Sequence, residues 1–221
     1  MSPLPIVVLA LVGCILSISA YKTLFVARDR GQVLAVIKAW QWRYLPGTIA
    51  TLFGVGIVCE VLSDYLPWTN WGWWHLLGGI GNPAIGEIDL GSSPTGLAVS
   101  AALAVTFPLV FGVAAIREAR AEEVSFRKGN QRLSRRRRLI RAFMFGMVHI
   151  IIGIPIYACC ALMVPGLWLD YVYQRGYEQE VAKNSSEDVR AEEAGVNAAS
   201  AQHAFYNLLI IVIVEIALLS G

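Results

Sequence analysis

The sequence predicts an all-α, polytopic membrane protein, and three observations lead to this class. Hydrophobic residues make up 56% of the 221 residues, charged residues make up only 15%, and the mean hydropathy is +0.56. Apolar runs of about 20 residues, the length that a helix needs to cross a bilayer, recur along the chain. We therefore expect about five to seven membrane segments in a single domain spanning residues 1–221.

Four apolar runs are each long enough for one crossing. They lie at residues 3–26, 46–66, 96–116 and 198–220. The first run has no Lys or Arg before Lys22 and is long for the apolar region of a signal peptide. We interpret it as an uncleaved membrane helix.

A fifth apolar block, 142–173, is too long for one simple crossing. Its interior contains residues that break or kink helices, namely Gly153, Pro155, Pro165 and Gly166.

The cysteines all lie in apolar runs without the spacing of zinc ligands, so we interpret them as small hydrophobic residues.

The segments between the runs indicate where the chain meets the membrane surface. Residues 27–45 mix basic and aromatic side chains, which is typical of an interfacial helix. Residues 67–95 have no Lys or Arg and contain a cluster typical of an aromatic belt, Trp68, Trp71, Trp73 and Trp74. Basic residues gather at 22–43 and 117–141, which predicts that both segments are cytoplasmic in a cell membrane of bacterial type. The SRRRR run at 134–138 is then a topology determinant in contact with anionic lipid rather than a nucleic-acid site.

Two histidines lie in apolar surroundings, where an ionisable group is costly and tends to face an internal cavity. His203 and Asn207 are four residues apart, so on a helix they share a face and aim two donors at one point, as an oxyanion site requires. Phe145 and His149 have the same spacing, so the ring is positioned to shield the imidazole. The alternative is that each histidine is a buried hydrogen-bonding group between helices.

The stretch AEEVSFRKG places two glutamates at the end of an apolar run. Glu123 and Arg127 have the favourable order for a helical ion pair. Glu122 is rotated by about 100° from Glu123 on a helix, so the two carboxylates are expected to have different roles. We interpret Glu123 with Arg127 as a structural clamp and Glu122 as a base facing a cavity, the alternative being the solvated cap of a helix. Glu60 and Glu215 are interpreted as packing or headgroup-contacting residues, the alternative for Glu60 being that it lines the cavity.

In order, the chain reads EEVSFR, FGMVH and HAFYN, which match the patterns EExxxR, FxxxH and HxxxN. In these motifs it resembles the CAAX protease and bacteriocin-processing (CPBP, Abi) family of intramembrane endopeptidases, over roughly residues 96–215. Residues 1–95 are only generically similar. The resemblance implies a catalytic core at 96–221 and a glutamate-dependent peptidase that acts on a membrane-associated peptide or protein.

The resemblance also implies roles for the matched residues. Glu122 and His149 activate a water, while His203 and Asn207 hold the oxyanion. Supporting positions are Glu123, Arg127 and Phe145. No cofactor is implied, and zinc at Glu122, His149 and His203 is the alternative, although the HEXXH spacing of zinc proteases is absent.

For His203 to reach the same polar chamber as Glu122, the resemblance implies that block 142–173 enters the membrane and returns as a helical hairpin. We expect a short helix through about Ile152 and a second helix from about Pro155. The polar, net acidic segment 174–200 departs from the short connection common in the family. We interpret it as a loop that acts as a lid, docks a protein partner or is simply tolerated. The alternative to an enzyme is a non-catalytic membrane adaptor or assembly factor on the same scaffold.

Overall fold

The computed structural model describes residues 3–72, 94–183 and 188–220, and within these ranges the chain is helical without β-strands. The helices are α1 (Pro3–Phe25), α2 (Ala27–Lys38), α3 (Leu45–Tyr65), α4 (Pro94–Phe126), α5 (Arg135–Met147), α6 (Ile156–Ala161), α7 (Met163–Lys183) and α8 (Asp188–Ser220). Short 3-10 turns lie at Trp42–Tyr44, Pro67–Asn70, Asn130–Arg132 and Val148–Ile152. The predicted all-α class is confirmed for this part of the chain.

In the described ranges, three stretches are long and apolar enough to cross a membrane: Trp42–Tyr65, Ile156–Lys183 and Asp188–Ile213. Large apolar side chains on these helices, such as Phe53 and Ile57, are exposed, as expected for contact with lipid. These features are those of an all-α membrane protein. The other predicted runs, 3–26 and 96–116, are also helical, within α1 and α4.

The predicted interfacial helix is shorter than expected. Helix α2 ends at Lys38, and a 3-10 turn at Trp42–Tyr44 then leads into α3. Among the tryptophans of the predicted aromatic belt, Trp68 and Trp71 are exposed. Trp73 and Trp74 lie outside the described residues.

The break predicted within block 142–173 is confirmed. The 3-10 turn after α5 ends at Ile152, and Gly153 follows with φ of 91°, a left-handed conformation that favours glycine. Pro155 caps the next helix, which begins at Ile156. Since a proline lacks the backbone donor, it ends the first helix and opens the second.

The two arms of this block pack against each other and run in opposite directions. Gly146 of α5 lies against the backbone of Cys159 and Met163, and further back along α5 Ala142 meets Gly166 of α7. A methyl group at Gly146 would lie 2.1 Å from the carbonyl oxygen of Cys159. The close approach therefore requires glycine, and the predicted helical hairpin is present.

The expectation of a loop at 174–200 is wrong. Helix α7 continues to Lys183 and α8 begins at Asp188, so only residues 184–187 lie between them, outside the described residues. Gly176 and Gly195 let the two helices approach closely. Polar residues with high helix propensity extend both helices, and the contact between them outweighs the low hydrophobicity of the segment.

The site is positioned by two helices that each contact several others. Helix α4 packs on α1, α2 and α8, while α8 packs on α7, α4, α2 and α3. The end of α4 therefore lies beside the middle of α8, and the hairpin begins a few residues after α4. This arrangement brings the three motif segments together.

Candidate active site

Helix α4 carries the first motif as far as Phe126, Arg127 begins the turn that follows, and Gly129 in that turn has φ of 84°. Glu123 and Arg127 are one turn apart, and their side chains are 0% and 1% exposed. Arg127 Nε lies 3.3 Å from Glu123 Oε2. The predicted ion pair is confirmed, and it is fully buried.

Arg127 also joins three parts of the fold. Its Nη2 donates a hydrogen bond of 3.2 Å to the carbonyl oxygen of Gly166 on α7. Its guanidinium lies 4.2 Å from the ring centroid of Phe145 on α5, a cation–π geometry. A buried arginine with these partners fixes the end of α4 against the hairpin.

His203 has a partner that the sequence did not indicate. Its Nδ1 donates a hydrogen bond of 2.9 Å to Glu123 Oε1, and the residue is only 4% exposed. Glu123 thus binds Arg127 with one oxygen and His203 with the other. Sequence reasoning assigned Glu123 only to Arg127, because no spacing rule connects residues that are 80 positions apart.

Glu122 faces both histidines. Its Oε2 lies 3.9 Å from His149 Nε2 and 3.9 Å from His203 Nε2. This oxygen is buried and has no hydrogen-bond partner among the described residues, although the whole side chain is 33% exposed. A buried polar atom without a partner is costly, so its occurrence here marks a place where a further polar atom fits.

The tautomer of His149 follows from its partner. Its Nδ1 lies 2.8 Å from the carbonyl oxygen of Phe145, which can only accept, so Nδ1 carries the proton. In the neutral ring Nε2 is then an acceptor pointing towards Glu122. The Phe145 ring meets both imidazoles edge to face, with centroids 5.3 Å from His149 and 5.5 Å from His203. The predicted contact of Phe145 with His149 is present, and the same ring also contacts His203.

Asn207 lies one turn after His203 on α8 and is partly buried. Among the described residues, no hydrogen bond joins it to Glu122, His149 or His203, so its oxyanion role stays a prediction. Glu60 is exposed on α3, and the side chain of Glu215 lies outside the described residues.

The distances also bear on the alternative of a zinc ion. Two ligands on tetrahedral zinc, each at about 2.0–2.2 Å from the metal, lie roughly 3.4 Å apart. Glu122 is 3.9 Å from each imidazole nitrogen. Within the described ranges, no group of three or more His, Cys, Asp or Glu side chains has the arrangement of a metal site. These positions do not fit zinc as they stand, and no step proposed below uses a metal.

A polar contact holds the start of α8 against the end of α4. Glu193 Oε2 accepts from Arg120 Nη2 at 2.7 Å, and its Oε1 lies 3.2 Å from Lys128 Nζ. Arg132 pairs with Asp188 and, at 3.0 Å, with Glu192. The hydrogen bond and charge of Asp188, with the charge of Glu192, raise the pKa of Arg132 above its usual value. We call this set of residues the α4–α8 latch, and Asp188, Glu192 and Glu193 are its α8 half.

A buried network fixes α8 beside His203. Gln202 is fully buried, and its Oε1 accepts from Thr48 Oγ1 at 2.8 Å. Trp168 Nε1 donates to the same threonine oxygen at 3.1 Å. Because Gln202 binds α3, the rotation of α8 is set so that His203 faces α4.

Comparison of the whole chain with protein-family models, curated proteins and solved structures found no match.

Proposed function

We propose that the chain is an intramembrane, glutamate-dependent endopeptidase that hydrolyses a peptide bond in a membrane-associated peptide or protein. The observation that carries this proposal is the buried, unpartnered Oε2 of Glu122, at 3.9 Å from Nε2 of both His149 and His203. The resemblance of the three motifs to the CAAX protease and bacteriocin-processing family supports the same function.

Glu122 and His149 are proposed to activate a water. A separation of 3.9 Å is too long for a direct hydrogen bond, but it lets one water lie about 2.8 Å from both atoms. His149 Nε2 accepts one hydrogen of this water and orients it, since Nδ1 carries the ring proton. Glu122 takes the other proton as the water oxygen bonds to the scissile carbonyl carbon.

His203 and Asn207 are proposed to hold the oxyanion of the tetrahedral intermediate. Because His203 Nδ1 donates to Glu123, Nε2 donates as well only when the ring carries both protons. Glu123 accepts from Nδ1 in both forms of the ring. Asn207 supplies a second donor from the next turn of α8. As the C–N bond breaks, the leaving amine takes the proton from Glu122, which leaves a carboxylic acid and an amine.

The remaining motif residues are proposed to position this site. Glu123 orients His203, Arg127 balances the buried carboxylate, and the Phe145 ring covers both imidazoles. A site surrounded by apolar side chains strengthens electrostatic interactions and limits the supply of water. We further propose a polytopic placement in a cell membrane of bacterial type, with segments 22–43 and 117–141 cytoplasmic.

The test is cleavage of membrane peptides in water enriched in ¹⁸O. Purified protein in proteoliposomes is incubated with a prenylated CAAX peptide and with unmodified single-span peptides, and products are identified by mass spectrometry. Hydrolysis places one ¹⁸O in the new carboxyl terminus. We expect wild type and Glu60→Ala to give labelled product from at least one peptide, and Glu122→Ala to give none.

Three results would contradict the proposal in different ways. Labelled product from Glu122→Ala at the wild-type rate would show that Glu122 is not the base. Failure of wild type to cleave any peptide, together with a membrane-protein partner that co-purifies equally with wild type and Glu122→Ala, would favour the adaptor alternative. Loss of wild-type cleavage on chelation, restored by zinc, would favour a metal at Glu122, His149 and His203.

A further inference from the structure

A groove lies between α5 and α7, away from the candidate active site. The helices are held together where Arg138 Nη1 binds Asp170 Oδ2 at 3.2 Å. Since α5 and α7 are antiparallel, Arg135 and Arg136 of α5 face the later turns of α7. The space between them is a groove of about 570 Å³.

The groove carries a surplus of positive charge. Two of its arginines are paired, Arg138 with Asp170 and Arg175 with Glu178. Arg135 and Arg136 are exposed and form no ion pair with the described residues. They also lie in the first turn of α5, where the helix dipole favours negative charge and opposes cations. An anion in the groove would neutralise the unpaired charge of these arginines and interact favourably with the helix dipole.

Two residues that line the groove carry unused hydrogen-bond donors. Nε2 of Gln174 and Nε of Arg138 are buried and have no hydrogen-bond partner among the described residues. Both residues line the groove. Buried donors of this kind are normally satisfied, so the groove is suited to a ligand with several acceptor oxygens.

The rest of the lining is apolar. Leu139 and Leu167 line the groove and are exposed. Phe143 and Met144, which follow Leu139 on α5, are also exposed. An exposed apolar surface of this kind suits the acyl chain of a lipid. The ligand must therefore be anionic at one end and apolar at the other, which a soluble phosphate is not.

We propose that this groove binds one anionic phospholipid. The headgroup phosphate lies between Arg135 and Arg136, with Arg138 and Gln174 as further donors, and an acyl chain follows Leu139. Guanidinium groups match phosphate geometry with two parallel hydrogen bonds. The lipid would bridge the two arms of the hairpin. This site is independent of the proposed peptidase activity.

The test is native mass spectrometry of the full chain in detergent, titrated with phosphatidylglycerol or phosphatidylcholine. We expect wild type to bind phosphatidylglycerol more tightly by roughly tenfold, the effect of one charge-assisted hydrogen bond. Arg135→Gln/Arg136→Gln is expected to lose about that factor. The charge-matched control is Arg28→Gln/Arg137→Gln, two exposed arginines outside the groove, which should stay within about twofold of wild type.

Equal losses in both double variants would contradict the proposal, because the effect would then be general surface charge. Displacement of the lipid by inorganic phosphate at about 10 mM would also contradict it, since a free anion would be the preferred ligand. If the glutamine pair does not fold, Arg135→Lys/Arg136→Lys keeps the charge and removes the planar fork. Wild-type affinity for phosphatidylglycerol in that variant would overturn the assigned phosphate contacts.

Discussion

Glu123 on α4 and His203 on α8 are joined by a hydrogen bond of 2.9 Å between Oε1 and Nδ1. The other oxygen of Glu123 faces Arg127 at 3.3 Å. One buried carboxylate therefore connects the cation of the first motif with the histidine of the third. The two glutamates flank opposite nitrogens of the same ring, Glu123 at Nδ1 and Glu122 at Nε2.

Glu123→Gln is expected to destabilise the protein by about 3–5 kcal/mol, because it leaves Arg127 as an uncompensated buried charge. The measurement is thermal unfolding in detergent. Glu118→Gln, on the same helix but partly exposed, is the control and should cost at most about 1 kcal/mol. Equal effects of the two substitutions would show that the buried pair has no special role.

Phe145→Leu is expected to destabilise by about 1–3 kcal/mol and to lower cleavage, since the ring contacts Arg127 and both imidazoles. Phe143→Leu removes an exposed ring from the same helix and serves as the matched control, with little expected change. Unfolding temperature and turnover are measured for both. A larger loss of stability or turnover in Phe143→Leu than in Phe145→Leu would contradict the role assigned to Phe145.

Gly146→Ala is expected to open the hairpin or destabilise it by about 1–3 kcal/mol, because the added methyl would meet the Cys159 carbonyl oxygen. Gly56→Ala on α3 is the control, as a methyl there meets no atom within 4 Å. It should be neutral or stabilising by up to about 1 kcal/mol, since alanine favours helix. An unfolding curve for Gly146→Ala that matches wild type would contradict the packing described here.

Glu193→Gln is expected to loosen the start of α8, because the α4–α8 latch loses its ion pairs with Arg120 and Lys128. Hydrogen exchange should rise in the first turns of α8 and less around His203, where Gln202 and Glu123 still hold the helix. Glu178→Gln removes an exposed pair on α7 and is the comparison. Unchanged exchange in Glu193→Gln would show that packing alone holds α8.

The sequence predicted the parts of the fold that local chemistry controls. Gly153 and Pro155 mark the break in the hairpin, since their backbone requirements are independent of context. The spacing of Glu123 and Arg127 likewise predicted their ion pair. These features depend on residues close together in the chain.

Long-range contacts explain what the sequence did not predict. The polar segment 174–200 was expected to be a loop, but Asp188, Glu192 and Glu193 within it pair with basic residues across the α4–α8 latch. The hydrogen bond from His203 to Glu123 is another case. The spacing along the chain paired Glu123 with Arg127 and His203 with Asn207, so it did not indicate that Glu123 and His203 bind each other. Composition alone does not reveal such pairings.

The most direct test is to measure cleavage and unfolding together for Glu122→Gln. Oε2 of Glu122 has no hydrogen-bond partner among the described residues, so its replacement should leave the unfolding temperature unchanged. Loss of the base should lower the cleavage rate by roughly 10²–10⁴-fold, with Glu60→Gln retaining the wild-type rate. A stable Glu122→Gln protein that cleaves at the wild-type rate would contradict the account.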